Sequence, residues 1–126
     1  MKQLLNHLPV FAILLFMGCS EHRTSHVTSE QLNGRLTAAL AVNDMNQRDV
    51  ALKSVAQDAA EAAQGEIVKR AVYEIHDAAL MDQVTYDCAL KLVERGQAQA
   101  AADAAKMLHD TSKANEVLGR IARGGK

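Results

Sequence analysis

Val42-Asn43-Asp44, Ile75-His76-Asp77 and Leu108-His109-Asp110 recur at intervals of 33 residues, and this recurrence decides how the chain folds. An apolar residue, a polar residue and an aspartate together suit the end of one helix and the N-cap of the next. The same shift pairs Asp49 with Asp82, Ala56 with Ala89, Glu61 with Glu94, Gln64 with Gln97 and Ala71 with Ala104. Val55 falls over Cys88, and Val117, Ile121 and Ala122 fall under Val84, Cys88 and Ala89. A unit of this length holds two helices and a turn. Alone it buries too little apolar surface, so neighbouring units must stack.

Working outward, amphipathic Ala-rich sequence runs almost to the chain end. It breaks only near Asn43 to Asn46, Gln64-Gly65, Asp77 to Ala79, Gly96 and Asp110 to Ser112. The first helix opens at Thr28, which with Gln31 forms a capping box, and Val27 and Leu32 are spaced as a hydrophobic staple. Few β-branched clusters and no proline beyond Pro9 argue against strands, so the predicted fold is all-α. The run Ala98 to Ala105 offers little bulk, which demands close helix approach and gains dispersion contact more than buried area. Core positions are expected at Leu36, Leu40, Leu52, Val55, Ala59, Val72, Ile75, Val84, Cys88, Leu92, Leu108, Leu118 and Ile121.

This pattern resembles the tetratricopeptide-type helical repeat over roughly Leu36 to Ile121. Val55-Ala56 and Cys88-Ala89 match the large-then-small pair of that family's first helix, and Ala101 matches a small residue of its second, where the earlier unit has Val68. Leu80 and Lys113 stand where the family places a proline, and each unit is one residue short. The resemblance implies antiparallel helix hairpins stacked as a short α-solenoid. A compact five- or six-helix bundle fits the same residues.

The chain has 126 residues, enough for one domain. Its 14 basic and 15 acidic side chains give no basic stripe of the kind nucleic acid requires. The only proline (Pro9) and both phenylalanines (Phe11, Phe16) sit beside an apolar run from Leu8 to Met17 that follows Lys2. That arrangement reads as a secretory signal covering residues 1–18, too short to span a bilayer. The stretch Leu15-Phe16-Met17-Gly18-Cys19 resembles the lipobox of bacterial lipoproteins. The resemblance implies cleavage before Cys19 and a diacylglycerol on its thiol, and Ser20 implies release to the outer membrane. Multiple acyl chains would make this a permanent tether. Residues 19–28 then form a polar leash whose root-mean-square reach is roughly 15–18 Å, followed by a helical domain over residues 29–123 and a frayed tail at 124–126. With Cys19 acylated, Cys88 is the single remaining thiol and no intramolecular disulfide forms.

Among candidate chemical groups, His76-Asp77 and His109-Asp110 invite a metal or acid–base reading. Sequence neighbours do not share a helix face, and each pair falls where a helix ends, so a structural turn accounts for them. His22 and His26 have the spacing of a zinc helix, but Arg23 stands where a metalloprotease needs its glutamate. Cys88 aligns with apolar Val55 and Ile121 and is expected to be a buried, inert thiol. No phosphate loop and no nucleophile elbow appears. Lys113, Arg120, Arg123 and Lys126 form a basic end that suits a helix C-terminus and could meet anionic lipid or polymer.

The tyrosines carry the clearest interaction signal. Tyr73 aligns with Lys106, and Tyr86 with Lys53 and Gly119, so both aromatics are expected to face outward, where Tyr is a frequent hot spot. Tyr86, Leu90 and Val93 form a second apolar stripe beside the core stripe Val84-Cys88-Leu92. In the family resembled, this face lines the concave ligand groove, with Val50, Lys53 and Gln57 continuing it. The competing reading is a middle helix buried on both sides. The functional expectation is therefore a non-enzymatic outer-membrane lipoprotein, facing the periplasm, that presents a repeat scaffold to a protein partner. It needs no cofactor or metal and binds no nucleic acid. The anchor is acylated Cys19 and the contact set is Lys53, Tyr73, Tyr86, Leu90 and Val93. An immunity or exclusion lipoprotein that blocks an incoming toxin or transfer machine is the alternative.

Overall fold

The structure, a computed structural model, describes residues 27–125. The signal stretch, Cys19, His22, His26 and most of the leash lie outside the described residues. The described chain is all-helical. Its elements are α1 (Ser29–Leu40), α2 (Met45–Glu61), α3 (Gly65–Tyr73), α4 (Ala78–Glu94), α5 (Ala98–Ala105) and α6 (Thr111–Ala122).

Starts and stops follow from local chemistry. Thr28 closes the capping box expected of it, its side chain accepting from the Gln31 N–H at 3.2 Å while the Gln31 side chain accepts from the Thr28 N–H at 2.9 Å. Leu32 is buried and Val27 packs on the core, so the staple is in place. Asp44, Asp77 and Asp110 cap α2, α4 and α6, accepting from Gln47, Leu80 and Ser112 N–H groups at 2.9, 2.8 and 2.9 Å. Thus α2, α4 and α6 begin one repeat length apart, and so do α3 and α5.

The ends of α2, α4 and α6 share a Schellman closure. Gln64 N–H reaches the Ala59 carbonyl, Gln97 N–H that of Leu92, and Gly125 N–H that of Arg120, each at 2.8 Å. The closure needs a left-handed residue, which is Gly96 (φ 74°) after α4 and Gly124 (φ 75°) after α6, but Ala63 (φ 57°) after α2. Gly124 and Gly125, expected as a frayed tail, are instead drawn into this cap.

Each helix packs only on its next and next-but-one neighbours. In consequence α2, α4 and α6 form one layer and α1, α3 and α5 the other, with the core between them. Leu36, Leu52, Val55, Ala59, Val72, Ile75, Val84, Cys88 and Leu92 are buried as expected. Leu40, Leu108 and Ile121 are half-buried. Leu118, expected in the core, is 41% exposed. Its register mates Leu52 and Thr85 are at 0% and 1% because a helix of the other layer covers them, and no described helix follows α6. Within the second layer α3 and α5 approach closely: a Cβ added at Gly65 would stand 2.5 Å from the Ala100 Cβ.

Candidate interaction surface

Lys53, Tyr86 and Gly119 occupy one register position on α2, α4 and α6. From there the Tyr86 hydroxyl donates to Glu116 Oε2 at 2.7 Å, and Lys113 Nζ lies 5.5 Å from the centroid of its ring. The bond to Glu116 raises the phenol's pKa and lowers that of the carboxylate. Val93, three residues beyond Leu90 on the same stripe, is buried, and a Cβ added at Gly125 would stand 3.6 Å from its Cγ1. Leu90 is half-buried against the core. Tyr86 thus ties α4 to α6, and with α2 on its other side α4 is a middle helix packed on both flanks. Tyr73 is 74% exposed at the end of α3, in the opposite layer, and does not join the other candidates. Lys53 is half-buried on α2.

One flank over, α2 and α4 leave a cleft of about 330 Å³ lined by Gln57, Asp58, Ala60, Glu61, Asp87, Cys88 and Lys91. Ion pairs hold its walls. Lys91 Nζ reaches Glu61 at 3.4 Å and Glu94 at 2.9 Å, Arg95 also pairs with Glu61, and Arg35 reaches Asp58 at 2.7 Å. Each pair is exposed and contributes little stability alone, roughly 0–1 kcal/mol. Asp87 accepts from Gln83 at 3.0 Å and has no cationic partner among the described residues. Beneath it, burial and then the Asp87 charge push the Cys88 thiol up to about 12, so it stays protonated and unreactive.

The His-Asp turns resolve into structural devices. Asp49, only 4% exposed, accepts from the backbone N–H of His76 at 2.8 Å and of Asp77 at 2.9 Å. Asp82 repeats this with His109 at 2.7 Å and Asp110 at 3.3 Å. Each carboxylate thus ties its own helix to the start of the next helix in the same layer. His109 Nδ1 also lies 3.2 Å from Asp82. Burial raises the Asp82 pKa, but the His109 and Asp110 N–H groups and the His109 ring together carry it below the ordinary carboxylate value. In the sequence Asp49 and Asp82 are visible as repeat markers, but nothing local announces their buried bonds.

Among the described residues no group of three or more His, Cys, Asp or Glu is arranged to hold a metal ion. The basic end is partly compensated, with Arg120 on Glu116 at 3.0 Å. No family model, no curated protein and no solved structure matches this chain.

Proposed function

We propose that this chain is a lipid-anchored scaffold, tethered through acylated Cys19 at the periplasmic face of the outer membrane, whose stacked helices dock a protein partner. The tether rests on the lipobox-like stretch Leu15 to Cys19 and on the polar sequence that separates it from a sharply capped helix. No described helix is long and apolar enough to cross a membrane.

The observation that carries the docking half is the cleft between α2 and α4. Its walls are held by ion pairs, Gln57 lies on its rim, and Asp87 presents a carboxylate with no cation beside it. A partner segment bearing Lys or Arg would meet that carboxylate, with Lys53 one turn along α2 from Gln57. Tyr86 is engaged by Glu116 of α6, Val93 is buried and Leu90 is half-buried against the core. Tyr73 faces away from the cleft.

Partner recovery from detergent extracts tests the reading. Asp87→Lys is expected to abolish recovery while far-UV circular dichroism stays unchanged. Undiminished recovery with an intact fold would reject the cleft as the docking face.

A further inference from the structure

The two ends of the helix stack are each unfinished, and each lacks what the other offers. At the α6 end, Asn115, Leu118 and Ala122 are exposed. They stand in register with Asp49, Leu52 and Ala56 on α2, which are 4%, 0% and 0% exposed. On α4 the same places are held by Asp82, Thr85 and Ala89, the last two at 1% and 0%. So α6 carries the face that its sister helices bury under a following helix of the other layer. Among the described residues nothing covers it.

At the other end, α1 belongs to that other layer and has no partner before it among the described residues. Its Ala38 is exposed, although its register mates Ala71 and Ala104 are 0% and 5% exposed. Gly34, one turn earlier, would meet nothing within 4 Å if it carried a Cβ. Beside them a groove of about 280 Å³, lined by Ala38, Val42, Ala51 and Val55 among others, opens between α1 and α2. On its α2 side Val50 is 66% exposed, at the place from which Glu116 reaches back to the preceding layer helix.

Backbone donors repeat the mismatch. His76, Asp77, His109 and Asp110 N–H groups are taken up by Asp49 or Asp82. The corresponding Asn43 and Asp44 N–H groups have no acceptor among the described residues. The corresponding side chain, Asn115, carries an amide oxygen of the right kind at the far end of the stack.

We infer that the partner of each end is a second copy of this chain, joined head to tail. The α6 of one copy enters the groove beside α1 and α2 of the next and takes the place of the missing layer helix. That α1 in turn covers Leu118 and Ala122, and the Asn115 amide oxygen accepts from one of the Asn43 and Asp44 N–H groups. The contact extends the repeat by its own rules, so it is heterologous and propagates until rotation closes a ring or a filament grows. It uses neither the α2–α4 cleft nor the lipid tether, and stands or falls apart from both.

Sedimentation of the full chain in density-matched detergent tests this. The wild type is expected to gain mass with concentration beyond two copies. Ala38→Glu blocks the α1 end and Leu118→Glu the α6 end, and both sites are exposed, so each variant should fold and remain a monomer at every concentration. Mixed in equal amounts, the two variants should pair through their intact ends and stop at two copies. A wild type that stays monomeric overturns the inference, as it would if residues 1–26 of the same chain filled the groove. A mixture that stays monomeric overturns it too. So does a pattern in which only one of the two variants loses association, which marks a face-to-face dimer.

Discussion

Removing one acceptor from the buried Asp49 should cost far more than the same change at Asp82, although the two residues occupy one repeat position. Asp49→Asn keeps one oxygen for either His76 or Asp77 and turns an NH2 group toward the other donor. The 2.8 and 2.9 Å bonds are part-buried and made by a side chain only 4% exposed, so water cannot take over. One charge-assisted bond is lost and one N–H is orphaned, together about 3 kcal/mol. At Asp82 the second bond is already 3.3 Å long and its donor residue Asp110 is exposed, so the amide retains the 2.7 Å bond to His109 and water serves Asp110. That change should cost about 1 kcal/mol. With an m-value of about 1.5 kcal/mol/M, the urea midpoints should fall by about 2 M for Asp49→Asn and about 0.7 M for Asp82→Asn. Far-UV circular dichroism on both variants reads this directly. Equal shifts, or less than about 0.5 M for Asp49→Asn, would refute the view that these carboxylates rivet successive layer helices.

Four further outcomes follow from the same geometry. Ala63→Gly relieves a left-handed L-residue and should stabilise by about 0.5–1 kcal/mol, whereas Gly96→Ala should cost a similar amount, both read from thermal or urea unfolding. Gly65→Ala forces a Cβ to within 2.5 Å of Ala100 and should destabilise; Ala100→Gly in the same chain should recover most of the loss, so the two changes are non-additive in a double-mutant cycle. Because the folded Asp82 pKa is depressed, its contribution is complete above the unfolded carboxylate pKa of about 3.9 and is lost as pH falls through the lower folded value. The acid limb of stability against pH should accordingly flatten in Asp82→Asn. In a Cys19→Ser chain, where Cys88 is the remaining thiol, a disulfide reagent at pH 8 should react only at the rate of unfolding, since that thiol is pushed up to about 12.

Much of the architecture is legible in the residues because the caps are local chemistry. Thr28, Asp44, Asp77 and Asp110 each sit next to the helix they start, and the observed boundaries follow them. Burial is harder to read, since Ala-rich helices look alike on several faces. Tyr86 aligns with Lys53, which suggests a solvated position, yet α6 supplies Glu116 and Lys113 to hold the ring. Leu118 has the pattern of a core residue, but among the described residues no helix covers it. Asp49 and Asp82 are visible as a matched pair, but each finds its donors 27 and 28 residues away, a distance no local pattern reveals. The α2–α4 cleft is missed for a related reason. Of its lining residues the sequence brings forward Gln57, as part of the groove of the family resembled, and Cys88, as a core residue.

The membrane tether is tested most directly by the intact mass of the native protein extracted from the membranes of the cell that makes it. An acylated anchor requires a chain beginning at Cys19 and heavier than its residues by the acyl groups on that sulfur and amine. A chain still carrying Met1 to Gly18, or one starting at Cys19 with no added mass and recovered from the soluble fraction, would contradict it.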